Sequence, residues 1–288
     1  MHLWAPAKIN LFLEVDEKRN DGYHNIDSVF SAIALFDEIR LDITDTGKIS
    51  VTSDHPSVPD GEDNIVYKAA QMIKKRLNKD VGFDVSIKKS IPVGAGLGGG
   101  SSNAASVLKA LIRHFCLDTE EIKDESVQLG ADVPFFLNES GMAHCTGIGD
   151  RIDFIQPCSP LYIVIVNPGI FVNTGSIYHE ISIDYDKEKP DKIIDSIQND
   201  DIQNISNHLF NRMERVVVKR YPVIEQIKTE LKTLGCIGAL MSGSGSTVFA
   251  LATSESQGYG IVREMRRQHG DWFIDLVQSL PTMNEVPV

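Results

Sequence analysis

Pro92-Val93-Gly94-Ala95-Gly96-Leu97-Gly98-Gly99-Gly100-Ser101-Ser102-Asn103-Ala104-Ala105 decides how this chain is read. Five glycines within seven residues run straight into an amphipathic pattern. A chain accepts the backbone entropy of so many glycines where φ must be positive or where something must come very close to the backbone. Downstream, Val107, Leu108, Leu111, Ile112 and Phe115 recur at three- and four-residue steps. That spacing predicts a helix over 103–115 with one buried stripe, and Ser101, Ser102 and Asn103 are suitable N-cap residues at its start. The loop therefore ends on a helix N-terminus, where unpaired N–H groups and the macrodipole attract anions by about 0.3 to 2 kcal/mol.

Other readings of the loop fare worse. Gly94-Ala95-Gly96-Leu97-Gly98-Gly99 satisfies the dinucleotide spacing G-x-G-x-x-G, but that fold also needs a strand directly before it and an acid closing the next strand. Asp118 lies at a suitable distance, yet Leu117-Asp118-Thr119-Glu120 reads as a helix start. A Walker A loop ends in Gly-Lys-Ser/Thr, whereas Gly100 is followed by Ser101. A flexible linker would not be bracketed by Pro92 and a capped helix.

The 288 residues suffice for two domains with their own cores. Hydrophobic residues at 42% and charged residues at 24% match a soluble globular chain. The net charge of -12 argues against nucleic-acid or acidic-membrane partners, which need a basic footprint. A small anion held by backbone N–H groups and a few lysines is compatible with it. Cys116, Cys145, Cys158 and Cys236 show no metal-ligand spacing and do not make a disulfide scaffold, so a cytoplasmic setting and no protein metal site are expected. The first residues lack the basic and apolar regions of a signal peptide, and the longest apolar run, residues 161–166, is too short to span a bilayer. The expected assembly is a monomer or weak homodimer.

Along the chain, Pro6-Ala7-Lys8-Ile9-Asn10-Leu11-Phe12-Leu13 reads as a strand with Ile9, Leu11 and Leu13 on one face and Lys8, Asn10 and Phe12 on the other. Arg19-Asn20-Asp21-Gly22-Tyr23-His24 is a turn. Strands are expected over 28–36, 38–43 and 81–87. Helices are expected over 64–77, with Asn64 as its cap, and over 120–129. Asp132, in Gly130-Ala131-Asp132-Val133-Pro134, reads either as an N-cap or as a partly buried carboxylate suited to act as a base. A hairpin pattern covers 140–152, and Gln156-Pro157-Cys158-Ser159-Pro160 marks a boundary that divides the chain into domains 1–157 and 158–288.

In the second half a strand is expected over 161–166, a short helix over 174–181, a charged surface connection over 184–189 and helices through much of 191–234. Strands over 237–240 and 247–251 flank the turn Met241-Ser242-Gly243-Ser244-Gly245-Ser246. A helix over 256–269 and a strand over 272–277 follow. The class is α+β, in two layers.

Pro6-Ala7-Lys8-Ile9-Asn10-Leu11, residues 92–105 and Met241-Ser242-Gly243-Ser244-Gly245-Ser246-Thr247 together resemble the GHMP kinase superfamily of small-molecule kinases, in order and spacing over nearly the whole chain. Gly22-Tyr23-His24, Gly130-Ala131-Asp132-Val133-Pro134, Asn167-Pro168-Gly169 and Leu209-Phe210-Asn211 with Glu214 are similar to one branch of it. That branch phosphorylates the 2-hydroxyl of 4-diphosphocytidyl-2-C-methyl-D-erythritol in the non-mevalonate isoprenoid pathway. The resemblance implies a two-domain fold with an active-site cleft between the domains, ATP as co-substrate with Mg2+, and a cytidyl diphosphate as acceptor.

It also implies Asp132 as catalytic base and Lys8 as its partner. Residues 92–102 become the ATP phosphate loop, with Asn64 and Lys89 beside the nucleotide. Tyr23 and His24 would hold the cytosine and Tyr178 would supply a second aromatic, while Asn10, Phe30 and Thr174 make further substrate contacts. Asp150, Asn173 and the tail after Val277 depart from the branch's usual pattern. Another GHMP small-molecule kinase, or a non-catalytic nucleotide-binding relative, is the alternative.

Overall fold

Long apolar runs at the start of the chain form a hairpin of β1 (His2–Lys18) and β2 (His24–Thr44), antiparallel from His2↔Arg40 to Lys18↔His24. The computed structural model describes residues 1–20, 22–77, 79–181 and 187–283. After the hairpin come β3 (Ile49–Ser53), α1 (Ile65–Leu77), β4 (Gly82–Lys88), α2 (Gly99–Phe115), α3 (Thr119–Ser126), α4 (Val133–Leu137), β5 (Met142–Thr146) and β6 (Arg151–Phe154). The second half carries β7 (Tyr162–Asn167), α5 (Thr174–Tyr178), α6 (Asp191–Gln198), α7 (Ile202–Asn207), β8 (Phe210–Asn211), α8 (Glu214–Arg220) and α9 (Val223–Thr233). It ends with β9 (Gly238–Met241), β10 (Val248–Ala252), α10 (Glu255–Gln268) and β11 (Phe273–Gln278).

Among the described residues these strands make two sheets. The first follows the path β3-β4-β2-β1-β8, with β5 also on β2 and β6 on β5. The second runs β11-β7-β10-β9 and is antiparallel throughout. Ala7, Ile9, Leu11, Val29 and Ile33 of the first sheet share a buried cluster with Ile163, Ile165, Leu240, Phe249 and Leu251 of the second. Helices α1 and α2 cover other residues of the first sheet: Val66, Ala70, Ile73, Val107, Leu108 and Leu111 pack in one cluster with Leu41, Phe83 and Val85. The α+β class expected from the sequence is the observed one.

Residues 28–36 and 38–43, expected as two strands, are one continuous strand, β2. Asp37 between them is fully buried and hydrogen-bonded, so the acid does not interrupt the ladder. The expected faces of β1 also need correction. The register with β2 slips between Asn10 and Phe12, and one extra residue in a ladder moves everything beyond it to the opposite face. Phe12 therefore joins Ile9 and Leu11 in the core between the sheets, whereas Leu13 turns to the face of Lys8 and Asn10.

Helix α2 begins four residues before the expected start, with Gly98 in the left-handed region as its N-cap (φ 69°). Glycines carry no hydrophobic period, so the pattern was silent over the first turn. Helix α3 covers Thr119–Ser126 rather than 120–129, and Asp118 caps it by accepting from the backbone N–H groups of Glu120 and Glu121. The charged connection expected over 184–189 falls partly, at 184–186, outside the described residues.

Candidate active site

The phosphate loop expected at residues 92–102 is held from three sides. The N–H of Lys8 on β1 donates to the Leu97 carbonyl (2.9 Å). From the second sheet, Ser242 Oγ donates to the Gly96 carbonyl (3.0 Å) and Thr247 N–H to the Ala95 carbonyl (3.3 Å). Gly96 has φ 78°, and a Cβ there would lie 3.1 Å from the Gly245 nitrogen and closer still to the Ser242 carbonyl oxygen. Only glycine lets the two turns approach this closely.

The third side is Asp37. Its Oδ1 accepts from the Ser90 and Ile91 N–H groups (2.8 and 2.9 Å), and its Oδ2 accepts from Asn103 Nδ2 (2.8 Å) and from Lys89 Nζ. One buried carboxylate thus ties β2 to the entry of the loop and to α2. Lys89, expected beside a nucleotide, is almost fully buried in this ion pair. Past Gly98, the helix leaves the N–H groups of Gly99, Gly100 and Ser101 without intrahelical acceptors among the described residues.

Two cavities meet at this loop. One, of about 400 Å³, is lined by Asn64, Lys89, residues 92–101 and Asn103. Asn64 also fixes the start of α1, accepting from Val66 N–H (2.8 Å) and donating to the Pro59 carbonyl (2.7 Å). The other cavity, of about 730 Å³, holds Lys8, Asn10, Tyr23, His24, Phe30, Asp132, Thr174 and Tyr178. Gly94, Gly96, Gly98 and Ser101 line both. Of the expected residues, Ser102 alone lies elsewhere: it is fully buried and lines a separate cavity behind α2.

In the larger cavity Asp132 is the N-cap residue of α4, but its carboxylate makes no cap hydrogen bond. Oδ2 lies 3.4 Å from Lys8 Nζ. Asp132 thus occupies the cap position without spending its carboxylate on the cap. Lys8 is 4% exposed, donates to Asn10 Oδ1 (2.8 Å) and sits 4.6 Å from the centre of the Phe30 ring. Asn10 Nδ2 in turn donates to Ser28 Oγ (3.0 Å), which donates to the Phe12 carbonyl. A chain of hydrogen bonds from the strand backbone thus fixes the ammonium against the carboxylate.

At the other end His24 Nδ1–H donates to the Asp16 carbonyl (3.1 Å), which leaves Nε2 as an acceptor in the neutral ring. The imidazole stacks on Tyr178, with ring centres 5.0 Å apart and planes 18° from parallel. Burial, and then the charge of Asp132, push the Tyr178 phenol up to about 12, so its ring is neutral at physiological pH. Thr174 Oγ1 hydrogen-bonds Ser244 Oγ (2.7 Å) and so links α5 to the second glycine turn.

Ser28, Asp37, Phe171 and Asn211 carried no role in the sequence reading. Phe171 is 70% exposed and lies against Gly94 at the cleft, held between Ile170, whose carbonyl accepts from Ser246 Oγ, and the buried Val172. Asn211 Nδ2 donates to the Met241 and Gly243 carbonyls (2.7 and 2.8 Å) and so shapes the second turn. An acid inside an apolar run was the available signal for Asp37; Asn211 stood in the motif Leu209-Phe210-Asn211, which does not name the partners, some 30 residues away, that it holds.

The model for the GHMP kinases N terminal domain matches residues 64–140, and that for the GHMP kinases C terminal domain matches residues 193–271. The chain is 40% identical over 282 residues to a 4-diphosphocytidyl-2-C-methyl-D-erythritol kinase of Citrifermentans bemidjiense, covering 97% of this chain and 99% of that one. It is 37% identical to the kinase of the same name from Clostridium beijerinckii, covering 95% and 99%. A crystal structure of a 4-(cytidine 5'-diphospho)-2C-methyl-D-erythritol kinase superposes with a TM-score of 0.79 at 29% identity, covering 96% and 99% of the two chains. A homoserine kinase from Cytophaga hutchinsonii shares the fold (TM-score 0.77, 18% identity, covering 98% and 95%). With its two motif-bearing turns interlocked and relatives matched over almost the full length, the chain belongs to the GHMP kinases and, among them, to the family of the 4-diphosphocytidyl-2-C-methyl-D-erythritol kinases.

Proposed function

We propose that this chain transfers the γ-phosphoryl group of ATP to the 2-hydroxyl of 4-diphosphocytidyl-2-C-methyl-D-erythritol. The observation that carries the reading is the loop shared by two cavities, with the Lys8–Asp132 pair on one side of it. In this reading the smaller cavity takes the nucleotide and the larger one the acceptor. Phosphoryl transfer draws its rate mainly from positioning and charge neutralisation.

The N–H groups of Gly99, Gly100 and Ser101 hold the donor's phosphates at the start of α2. Asp132 accepts the proton of the attacking hydroxyl as its oxygen bonds to the γ-phosphorus and the bond to ADP breaks. Lys8 pairs with Asp132 and offsets charge on the phosphoryl group. Asn64 borders the nucleotide. Lys89 contributes through Asp37, by fixing the loop's shape. Asn10 and Phe30 set the ammonium's position, and Thr174 steadies the second turn.

Mg2+ bound with ATP would neutralise phosphate charge. The Ser101 hydroxyl and Asp132 are protein oxygens in the cleft that would be available to it. At the far end the Nε2 acceptor of His24 matches the exocyclic amine of cytosine, and Tyr23 and Tyr178 offer ring faces to the base. A uracil would meet this acceptor with another acceptor, and a site left unpaired rejects its ligand strongly.

Division into domains 1–157 and 158–288, a monomer or weak homodimer, and a cytoplasmic setting without nucleic-acid or membrane partners complete the proposal. The matched family segments fall on either side of residue 157. The four free cysteines fit a reducing compartment, and no helix among the described residues is long and apolar enough to cross a membrane.

The test is ADP release with the cytidyl methylerythritol set against homoserine, mevalonate and the uridine analogue. Turnover confined to the cytidyl acceptor is expected; equal kcat/KM for the cytidine and uridine forms would remove the role of His24. Asp132→Asn should bind both substrates and turn over at least about 100-fold more slowly.

A further inference from the structure

Behind α2, on the side away from the cleft, lies a cavity of about 590 Å³, within the range of small-molecule sites. Ser102, Ser106, Lys109 and Arg113 recur along α2 at four- and three-residue steps and line it as one stripe. The opposite wall is apolar: Leu3, Trp4 and Pro6 of β1, with Phe136 of α4.

The polar stripe is only partly satisfied: Ser106 Oγ donates to the Trp4 carbonyl (3.3 Å). Ser102 is fully buried, yet its Oγ has no hydrogen-bond partner. Lys109 spends one donor on the Asn138 carbonyl (2.8 Å). Arg113 lies close enough to Lys109 that the two cations repel, and its guanidinium has no hydrogen-bond or carboxylate partner among the described residues. Burial lowers the Lys109 ammonium to about 8, against the opposing pull of Glu139, and the repulsion from Arg113 adds a smaller push in the same direction as burial. No Asp or Glu among the described residues lines the cavity, in a chain where acids outnumber Lys and Arg by 40 to 28. Two neighbouring cations facing an aromatic wall are arranged for an anion with an apolar body.

We propose that this cavity is a second binding site, distinct from the cleft, for a small organic phosphate whose anionic end meets Lys109 and Arg113 and whose apolar end packs on Trp4 and Phe136. The site shares α2 with the phosphate loop, since Ser101 in the first turn lines the cleft while Ser102 lines this cavity.

Trp4 supplies the readout, because the chain has two tryptophans and Trp272→Phe leaves Trp4 alone. Phenyl phosphate titrated into the full-length Trp272→Phe protein should change Trp4 fluorescence saturably at millimolar concentrations or below. Each of Lys109→Met and Arg113→Ala should weaken the binding by about tenfold or more, the worth of a charge-assisted hydrogen bond. Inorganic phosphate, lacking the apolar body, should bind more weakly. The proposal is overturned if no saturable change occurs, if inorganic phosphate binds as tightly as phenyl phosphate, or if Arg113→Ala leaves the dissociation constant unchanged. Arg113 is exposed, so that last result stands even if Lys109→Met fails to fold.

Discussion

Replacing Gly96 by alanine tests whether the two glycine turns work as one unit. The new Cβ meets backbone on the other turn, the Ser242 carbonyl oxygen and the Gly245 nitrogen, so no side-chain rotation relieves it. The positive φ of 78° adds about 1–2 kcal/mol for a non-glycine residue. Parting the turns weakens the Ser242 Oγ bond to the Gly96 carbonyl and the Thr247 N–H bond to the Ala95 carbonyl, worth together about 1–2 kcal/mol. The sum of about 2–4 kcal/mol corresponds to a fall in Tm of roughly 5–10 °C for a chain of this order. Thermal unfolding and the KM for ATP should be measured beside Gly270→Ala, where a Cβ meets nothing within 4 Å. Gly96→Ala is expected to lose stability and to raise the KM for ATP, with Gly270→Ala matching the parent. A Gly96→Ala protein with unchanged Tm and unchanged KM would refute the interlock.

Asn211→Ala should cost at least about 2 kcal/mol in urea unfolding, because it leaves the Met241 and Gly243 carbonyls and the Met213 N–H without their partner; an unaltered midpoint would mean that the second turn holds its own shape. Gly260→Ala should instead raise stability by up to about 1 kcal/mol, since the site is inside α10 with open space around the new methyl, and a lower Tm would contradict that geometry. The His144–Asp27 pair (2.7 Å) gives a pH signature. The hydrogen bond to Asp27, with further help from the charges of Asp27, Asp153 and Asp191 and against burial, raises the imidazole above its ordinary 6.5. Its contribution is full below the unfolded value and disappears as pH rises through the folded one. The Tm advantage of the parent over His144→Gln should therefore be largest near pH 6 and shrink toward pH 9; a gap independent of pH would exclude the ion pair as its source.

The α+β class and most elements were legible because their signals are local. The stripe from Val107 to Phe115 marked α2, and Asp118 announced the next helix from the position directly before it. What stayed hidden was set by long-range contact. The register slip after Asn10, which sends Phe12 and Leu13 to faces opposite to those alternation assigns, is defined only by the partner strand. Strand alternation puts Lys8 and Asn10 on one face but does not place that face in the interior; both are buried, with Asp132 at the start of α4 3.4 Å from the Lys8 ammonium. The motifs mark the candidate site but not what supports it: Asp37 lies in none of them, the one that contains Asn211 does not name its partners, and the two residues act across about 50 and 30 residues.

The unbroken length of β2 has a further consequence for selectivity. His24 stands at its first residue and Phe30, under the Lys8 ammonium, six residues on, a span of about 20 Å at roughly 3.3 Å per residue. If the proposed function holds, base reading and phosphoryl transfer sit on a single rigid ruler with no joint between them. An acceptor shorter than that interval can engage one end or the other but never both, so the strand selects its substrate by length before any side chain tests its chemistry.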